Sequence, residues 1–100
     1  MGIFSKLFRG TSVDYSALIK NGATIIDVRT PAEYKNGHIK GSINIPLQVL
    51  DKNMSKINKN KPVITCCASG MRSGSAKSLL KSKGFEAYNG GSWASLQRNV

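Results

Sequence analysis

Acidic residues are scarce in this sequence, because five Asp and Glu stand against 15 Lys and Arg, for a formal net charge of +10. Such an excess of positive charge suits nucleic acid, anionic lipid or small anions. The basic residues are scattered, with no two adjacent, and aromatic residues make up only 7% of the chain. A stacking platform for single-stranded nucleic acid is therefore unsupported. The charge predicts a solvated basic surface that attracts small anions, and no nucleic-acid partner.

Long apolar runs, internal repeats and low-complexity tracts are also missing. No apolar run approaches the roughly 18 residues of a membrane span, and residues 1–9 are too short and interrupted for a secretory signal. One histidine and the adjacent Cys66 and Cys67 cannot close a metal coordination shell. Neighbouring cysteines also make a poor disulfide framework, which favours free thiols in a reducing compartment. We therefore predict a cytoplasmic protein without a transmembrane segment, metal or cofactor.

The sequence of 100 residues has a globular composition, with 40% apolar residues, and suffices for one domain. Predicted helices alternate along the chain with short apolar segments typical of strands. The predicted helices lie within residues 11–22, 30–36, 46–57 and 72–84, and the predicted strands within residues 23–28, 42–46, 61–67 and 85–88. This alternation predicts an α/β fold with a central, mostly parallel sheet of about five short strands, flanked by helices on both faces.

The first ten residues stand apart from this alternation. Ile3, Phe4, Leu7 and Phe8 would form an apolar stripe on a helix, but two turns of helix are marginal alone. We expect residues 1–10 to be an N-terminal extension, either flexible or packed as an amphipathic turn, and residues 11–100 to form the domain.

The stretch PVITCCASGMRS, residues 62–73, places two cysteines between a predicted strand and a predicted helix. A nucleophilic cysteine must be a thiolate, and the unsatisfied N–H groups of a helix N-terminus and a tight loop lower a thiol pKa. Gly70 lets such a loop turn without a Cβ, and Arg72 adds a permanent charge with a fork of donors. Ligands of open parallel sheets bind beyond the carboxyl ends of the strands, where this loop is predicted to lie.

Two interpretations of this loop differ by one residue, because Arg72 closes Cys-x4-Arg with Cys67 and Cys-x5-Arg with Cys66. Successive residues of a strand point to opposite faces, so only one cysteine can face the loop. If the strand ends at Cys66, then Cys67 is the first loop residue and Cys66 is a buried structural thiol. We predict Cys67 as the nucleophile. A phosphatase or arsenate reductase that uses Cys66 is the alternative.

The segment CASGMRS resembles the active-site loop of rhodanese-type sulfurtransferases, whose pattern is Cys-x-x-Gly-x-Arg followed by Ser or Thr. IIDVRTPAEYKNGHIKGSINIP is similar to the first signature of that family, and GFEAYNGGSW is similar to its closing Gly-Gly and Trp segment. The three motifs occur in the family's order and span about residues 11–96. The chain thus resembles the single-domain, stand-alone form of the rhodanese-like sulfurtransferase family.

The resemblance implies a rhodanese-like domain over residues 11–100 and an enzyme that moves sulfane sulfur through a Cys67 persulfide. The donor would be thiosulfate or a persulfide, and the acceptor a thiol or cyanide. The expected partners are a small anionic sulfur donor, a thiol acceptor and a thiol-carrying protein, and we expect a monomer. The loop residues expected to bind substrate are Ala68, Ser69, Gly70, Met71, Arg72 and Ser73, and those expected to give structural support are Asp27, Arg29, Glu33 and His38. A non-turnover sulfur-carrier or redox module is a further interpretation.

Two positions depart from the family's usual pattern. Ala68 stands where the family often has arginine, which removes a cation from the loop, and Met71 gives the loop an apolar rim. Both departures favour a persulfide donor over a small divalent anion such as thiosulfate.

Overall fold

The structure, a computed structural model, describes residues 8–9 and 12–100. In these ranges the strands are β1 (Phe8–Arg9), β2 (Ser12–Val13), β3 (Thr24–Asp27), β4 (Ile43–Asn44), β5 (Val63–Cys67) and β6 (Ala87–Ser92). The α-helices are α1 (Tyr15–Lys20), α2 (Pro31–Lys35), α3 (Met71–Ser82) and α4 (Trp93–Gln97), and two 3₁₀ segments, Leu47–Val49 and Asp51–Lys56, lie between β4 and β5.

The central sheet is parallel and has the strand order β4-β3-β5-β6. The predicted α/β fold with a mostly parallel sheet is confirmed, with four strands in this sheet instead of about five. The remaining described strands, β1 and β2, form an antiparallel pair of their own, in which Phe8 is opposite Val13. The predicted extension, residues 1–10, lies outside the described residues apart from β1.

Helices cover both faces of the sheet, as predicted, and each face has its own apolar cluster. The α3-side cluster consists of Ile26, Val28, Ile45, Leu50, Ile57, Val63, Cys67, Ala76, Leu80, Phe85 and Ala87. The α1/α4-side cluster consists of Leu18, Ile25, Ile39, Ile64, Cys66, Tyr88 and Leu96. Because side chains alternate along a strand, Cys66 and Cys67 belong to opposite clusters. The fold therefore separates the two thiols by the thickness of the sheet.

Helix α1 lies within the predicted range, and its N-cap is Asp14. The Asp14 carboxylate accepts a hydrogen bond from the Ala17 N–H at 3.1 Å, which satisfies one of the free donors of the first turn. Within the described part of the chain, every helix is too short or too polar to cross a membrane.

The predicted helix in residues 46–57 is wrong in type, since the structure has two 3₁₀ segments there. Asn53 interrupts them with non-helical backbone angles, and its side-chain amide donates to the Val49 carbonyl at 2.7 Å. A local side-chain bond of this kind competes with the regular helical ladder. Leu50 and Ile57 of this segment are nevertheless buried in the α3-side cluster.

Candidate active site

β5 carries both cysteines to the carboxyl edge of the sheet and ends at Cys67. The strand does not stop at Cys66, so Cys67 is its last residue instead of the first loop residue, and α3 follows after three residues. Its pairing with β6 is irregular between Thr65 and Cys67. Cys67 therefore lies at the junction of strand and loop, with its side chain fully buried (0% exposed) beneath the loop.

Backbone N–H groups converge on the Cys67 sulfur. The Gly70 N–H donates to Sγ at 3.0 Å and the Ser73 N–H at 3.4 Å, and the hydroxyl oxygen of Ser73 lies 3.4 Å from the same sulfur. Gly70 has a φ of 105°, a left-handed conformation that glycine adopts without the penalty of a Cβ. The loop therefore places several hydrogen-bonding groups around one sulfur atom.

Two opposing effects shift the pKa of the Cys67 thiol. Burial raises the pKa, because a thiolate is poorly solvated away from water. Hydrogen bonds from the Ser73 side chain and from the backbone N–H groups of Ser73, Gly70 and Ser69 lower it. The hydrogen bonds outweigh burial, so the net pKa lies below the ordinary value of a thiol. Cys67 is therefore a thiolate in a larger fraction of molecules than a free cysteine would be.

Cys66 has the opposite environment. Its side chain is also fully buried (0% exposed), but it lies in the α1/α4-side cluster. Burial, followed by the negative charge of Asp27, raises the pKa of its thiol to about 12. Cys66 thus remains a thiol and faces away from the loop. The geometry does not support the Cys-x5-Arg alternative, which needs this sulfur inside the loop.

The other predicted loop residues divide between the surface and the interior. Ala68 and Ser69 are exposed, and the Met71 side chain is 82% exposed, so an apolar group stands at the rim as predicted. Ser73 is buried in the first turn of α3. The floor of the loop is therefore polar and its rim is partly apolar.

Arg72 is engaged with Glu33 instead of offering its donors freely to the loop. Its Nη1 and Nη2 donate to the two carboxylate oxygens of Glu33 at 2.7 and 3.0 Å, and the two side chains are 37% and 35% exposed. Glu33 also accepts a hydrogen bond from the Thr30 N–H at 3.0 Å, in a capping box that starts α2. The bond from Arg72, and then that from the Thr30 backbone, lower the pKa of Glu33 to about 2.

Asp27 and Arg29 form a buried pair at the end of β3. Arg29 Nη2 donates to Asp27 Oδ2 at 2.7 Å and to the Gly37 carbonyl at 2.7 Å, and the Arg29 guanidinium lies 4.9 Å from the centroid of the Trp93 ring. These contacts connect β3, the turn after α2 and the start of α4. Asp27 and Arg29 therefore make contacts that hold three elements together.

His38 is exposed at the turn after α2. Its Nδ1 donates to the Tyr34 carbonyl at 2.7 Å, and its ring stacks on the Tyr34 ring with centroids 3.7 Å apart. Of the four predicted support residues, Glu33 is the one that a hydrogen bond joins to the loop, through Arg72. The contacts of His38 keep the turn in place.

Asn89 on β6 contacts both Gly70 and Ser73, and the sequence does not predict this role. Its Oδ1 accepts a hydrogen bond from the Ser73 hydroxyl at 2.6 Å, and its Nδ2 donates to the Gly70 carbonyl at 3.1 Å. The available signal was an asparagine before two glycines, which predicts a turn more readily than a contact with a loop 16 residues away.

A family model for a rhodanese-like domain matches residues 11–96. The chain belongs to the rhodanese-like domain family. This rhodanese-like chain is 44% identical over 68 residues to the uncharacterized protein YqhL of Bacillus subtilis, covering 67% of this chain and 54% of that protein. It is 39% identical to the putative sulfur carrier protein YrkF of Bacillus subtilis, covering 62% of this chain and 34% of that protein. The identity to the thiosulfate sulfurtransferase PspE of Escherichia coli is also 39%, with 60% of each chain covered.

Solved structures agree with the family assignment. The crystal structure of reduced Bacillus anthracis CoADR-RHD superposes with a TM-score of 0.73 at 37% identity, covering 83% of this chain and 15% of that one. A rhodanese-like domain protein from Staphylococcus aureus superposes with a TM-score of 0.71 at 28% identity, covering 82% and 86%. This rhodanese-like chain therefore has the fold of its family, although it spans only 54%, 34% and 60% of the lengths of the three curated relatives.

Proposed function

We propose that this protein is a sulfurtransferase that moves sulfane sulfur through a persulfide on Cys67. The observation that carries the proposal is the convergence of the Gly70 and Ser73 N–H groups on the Cys67 sulfur. Relatives that are named thiosulfate sulfurtransferase and putative sulfur carrier protein support the same chemistry.

In the first half-reaction, the Cys67 thiolate attacks the sulfane sulfur of the donor. With thiosulfate, a bond forms between Sγ and the sulfane sulfur, the sulfur–sulfur bond of thiosulfate breaks, and sulfite leaves with the bonding electron pair. With a persulfide donor, the terminal sulfur is transferred and the donor leaves as a thiolate. The lowered pKa of Cys67 supports this step, because it raises the fraction of molecules that carry the attacking thiolate.

In the second half-reaction, an acceptor thiolate or cyanide attacks the outer sulfur of the Cys67 persulfide. A new bond to the acceptor forms, the persulfide bond breaks, and Cys67 returns as a thiolate. The loop donors on Gly70 and Ser73 stabilise negative charge at this position in both half-reactions. General base catalysis by a histidine is not needed, since the nucleophile of each half-reaction, a thiolate or cyanide, enters as an anion.

The loop favours a persulfide donor over thiosulfate. Because the Arg72 guanidinium is neutralised by Glu33 at 2.7 Å, little net positive charge remains to hold a divalent anion. Ala68 contributes no charge, and the exposed Met71 side chain gives an apolar surface for the carbon skeleton of a thiol compound or a protein. We therefore assign a low-molecular-weight or protein persulfide as the preferred donor, with thiosulfate used weakly.

Mass spectrometry after incubation with thiosulfate or a persulfide donor tests the function. Wild type and Cys66→Ala are expected to gain the mass of one sulfur atom, which a thiol reductant removes, whereas Cys67→Ala gains none. Loading should require a lower concentration of the persulfide donor than of thiosulfate. Loading of Cys67→Ala, or no loading of folded wild type by either donor, would disprove the proposed mechanism, and tighter use of thiosulfate would disprove the donor preference.

A sulfur carrier that passes its persulfide to one partner protein is the second candidate, and the relative named as a putative sulfur carrier favours it. The two functions share the loading step and differ in turnover with small acceptors. Rapid release of sulfur to cyanide or a small thiol would favour the enzyme, and release to a protein thiol alone would favour the carrier. Both cysteines are free, which supports a reducing, cytoplasmic location for either function.

A further inference from the structure

Asn89 is the point at which β6 meets the Cys67 loop. Besides its bonds to Ser73 and the Gly70 carbonyl, its Oδ1 accepts the Gly91 N–H at 2.9 Å. The Asn89 amide also packs closely against α3 at Gly74. A Cβ at this helical glycine would lie 3.2 Å from Asn89 Nδ2. Glycine within a helix costs roughly 0.5–1 kcal/mol relative to alanine, and the close approach of Asn89 explains its presence.

The Ser73 hydroxyl has a single hydrogen and two neighbours that can accept it. Asn89 Oδ1 lies 2.6 Å from the hydroxyl oxygen, and the Cys67 sulfur lies 3.4 Å from it. When Cys67 is a neutral thiol, its S–H donates to Ser73 and the hydroxyl donates to Asn89. When Cys67 is ionised, the hydroxyl must turn to the sulfur to stabilise it, and Asn89 Oδ1 keeps only the Gly91 N–H of these two donors.

We propose that Asn89 is a positioning residue that acts on Cys67 through Ser73, because its Oδ1 competes with the sulfur for the hydroxyl hydrogen of Ser73. The contact with Gly70 does not decide the outcome, since the Gly70 carbonyl also accepts the Gly74 N–H at 3.1 Å. Asn89 therefore limits the ionisation of the sulfur and sets the strength of the nucleophile. This inference rests on the proposed function only in taking Cys67 as the nucleophile.

Other groups around the sulfur stay constant while Asn89 is varied. From α3, Arg72 faces it and is paired with Glu33 of α2. From β3, the charges of Asp27 and Arg29 act on the neighbouring Cys66. From α1, the Tyr15 hydroxyl donates to the Asn89 carbonyl and not to its side chain. A shift in Cys67 ionisation after a change at Asn89 therefore reports on the side-chain amide.

The experiment measures the rate of alkylation of Cys67 by iodoacetamide against pH, in a Cys66→Ala background so that a single thiol titrates. Asn89→Leu removes the competing acceptor at similar volume, and we expect the Cys67 pKa to fall by about half a unit. Asn89→Asp strengthens the acceptor and adds a negative charge, and we expect a rise of about one unit. Asn44→Leu is the matched control. It is the same substitution at an asparagine whose Nδ2 bonds the backbone oxygens of Asp27 and Arg29 instead of contacting Ser73.

Opposite shifts for Asn89→Leu and Asn89→Asp are the signature of competition for the Ser73 hydrogen. A merely structural role would loosen the loop and move the Cys67 pKa upward in both variants, which would overturn the proposal. In a Ser73→Ala background the shift from Asn89→Leu should disappear, and its persistence would also overturn the proposal. Alkylation does not require sulfur transfer, so failure of this inference and failure of sulfur loading are separate results.

Discussion

Cys66 and Cys67 are joined by one peptide bond and are both fully buried, yet the structure gives them opposite chemistry. Cys66 lies in an apolar cluster, where burial raises its pKa to about 12. Burial acts against ionisation of Cys67 too, but loop hydrogen bonds outweigh it and the net pKa is lowered. Accessible surface alone would class the two thiols together. The difference comes from the N–H donors that reach one sulfur.

The irregular end of β5 creates this difference. Side-chain alternation sends Cys66 toward α1 and α4 and Cys67 toward α3. The register then shifts between Thr65 and Cys67, and the chain turns through Gly70 into the N-terminus of α3. The lowered pKa of Cys67 therefore depends on a strand end, a left-handed glycine and a helix start in immediate succession. Cys66 packs in the opposite apolar cluster.

The largest expected difference between Cys66 and Cys67 is in their rates of alkylation. With a pKa of about 12 for Cys66 and a value below the ordinary 9.0 for Cys67, the thiolate fractions at neutral pH differ by about 1,000-fold or more. Iodoacetamide at pH 7 should therefore modify Cys67 alone in the folded protein, as read by fragment mass spectrometry. Both thiols should react after unfolding in guanidinium, and equal rates in the native state would contradict the comparison.

The next largest effect is expected on stability, from crowding the α1/α4-side cluster that holds Cys66. A Cβ at Gly90 would lie 2.8 Å from Ile64 Cγ2 and 2.9 Å from Leu96 Cδ2, two members of the cluster that holds Cys66. Gly90→Ala should therefore lower the free energy of unfolding by about 1–3 kcal/mol, measured by urea denaturation. The third close contact, 2.9 Å to the Thr65 carbonyl oxygen, lies in the backbone of β5, which cannot move aside as a side chain can. An unchanged urea midpoint in Gly90→Ala would contradict this packing.

The alternation of helices and strands could be predicted from the sequence, because each element leaves a local periodicity. The placement of Cys66 and Cys67 on opposite faces of the sheet could also be predicted, since strand alternation is a local feature. The 3₁₀ geometry at residues 51–56 could not, because the apolar spacing of Leu50, Met54 and Ile57 also suits an α-helix.

Contacts between distant segments were beyond prediction. Arg72 is paired with Glu33, which lies 39 residues away in the sequence. Nothing near Arg72 in the sequence indicates this partner, because the contact depends on how α2 packs beside α3. Asn89 reaches Ser73 only because β6 pairs with β5 and brings its end under α3. In both cases the residue type was visible, but its partner depends on the packing of the whole domain.

Releasing Arg72 from Glu33 is expected to have a small effect that is confined to the Cys67 side. Glu33→Gln keeps an oxygen acceptor for the Thr30 N–H but removes the negative charge that pairs with Arg72. The guanidinium would then favour the Cys67 thiolate, so the pKa of Cys67 should fall slightly while Cys66 stays unreactive. Sulfur loading from thiosulfate should improve relative to a persulfide donor, because an unpaired cation holds a divalent anion better. Unchanged loading would remove the Arg72–Glu33 pair from the explanation of donor preference.

The Arg72–Glu33 pair should also make the stability of the fold depend on pH in acid. The lowered pKa of Glu33 sets the sign of this dependence. A carboxylate whose folded pKa is about 2 against an ordinary 4.5 stabilises the fold fully above pH 4.5, and its contribution is lost as the pH falls through about 2. The difference in melting temperature between wild type and Glu33→Gln should therefore be constant near neutral pH and shrink between these two values. Asp51→Asn is the matched control, because Asp51 and Lys83 are exposed and 3.8 Å apart, a geometry that contributes little. Thermal scans in which both variants lose stability equally would mean that Glu33 is an ordinary surface carboxylate and does not anchor the loop beside Cys67.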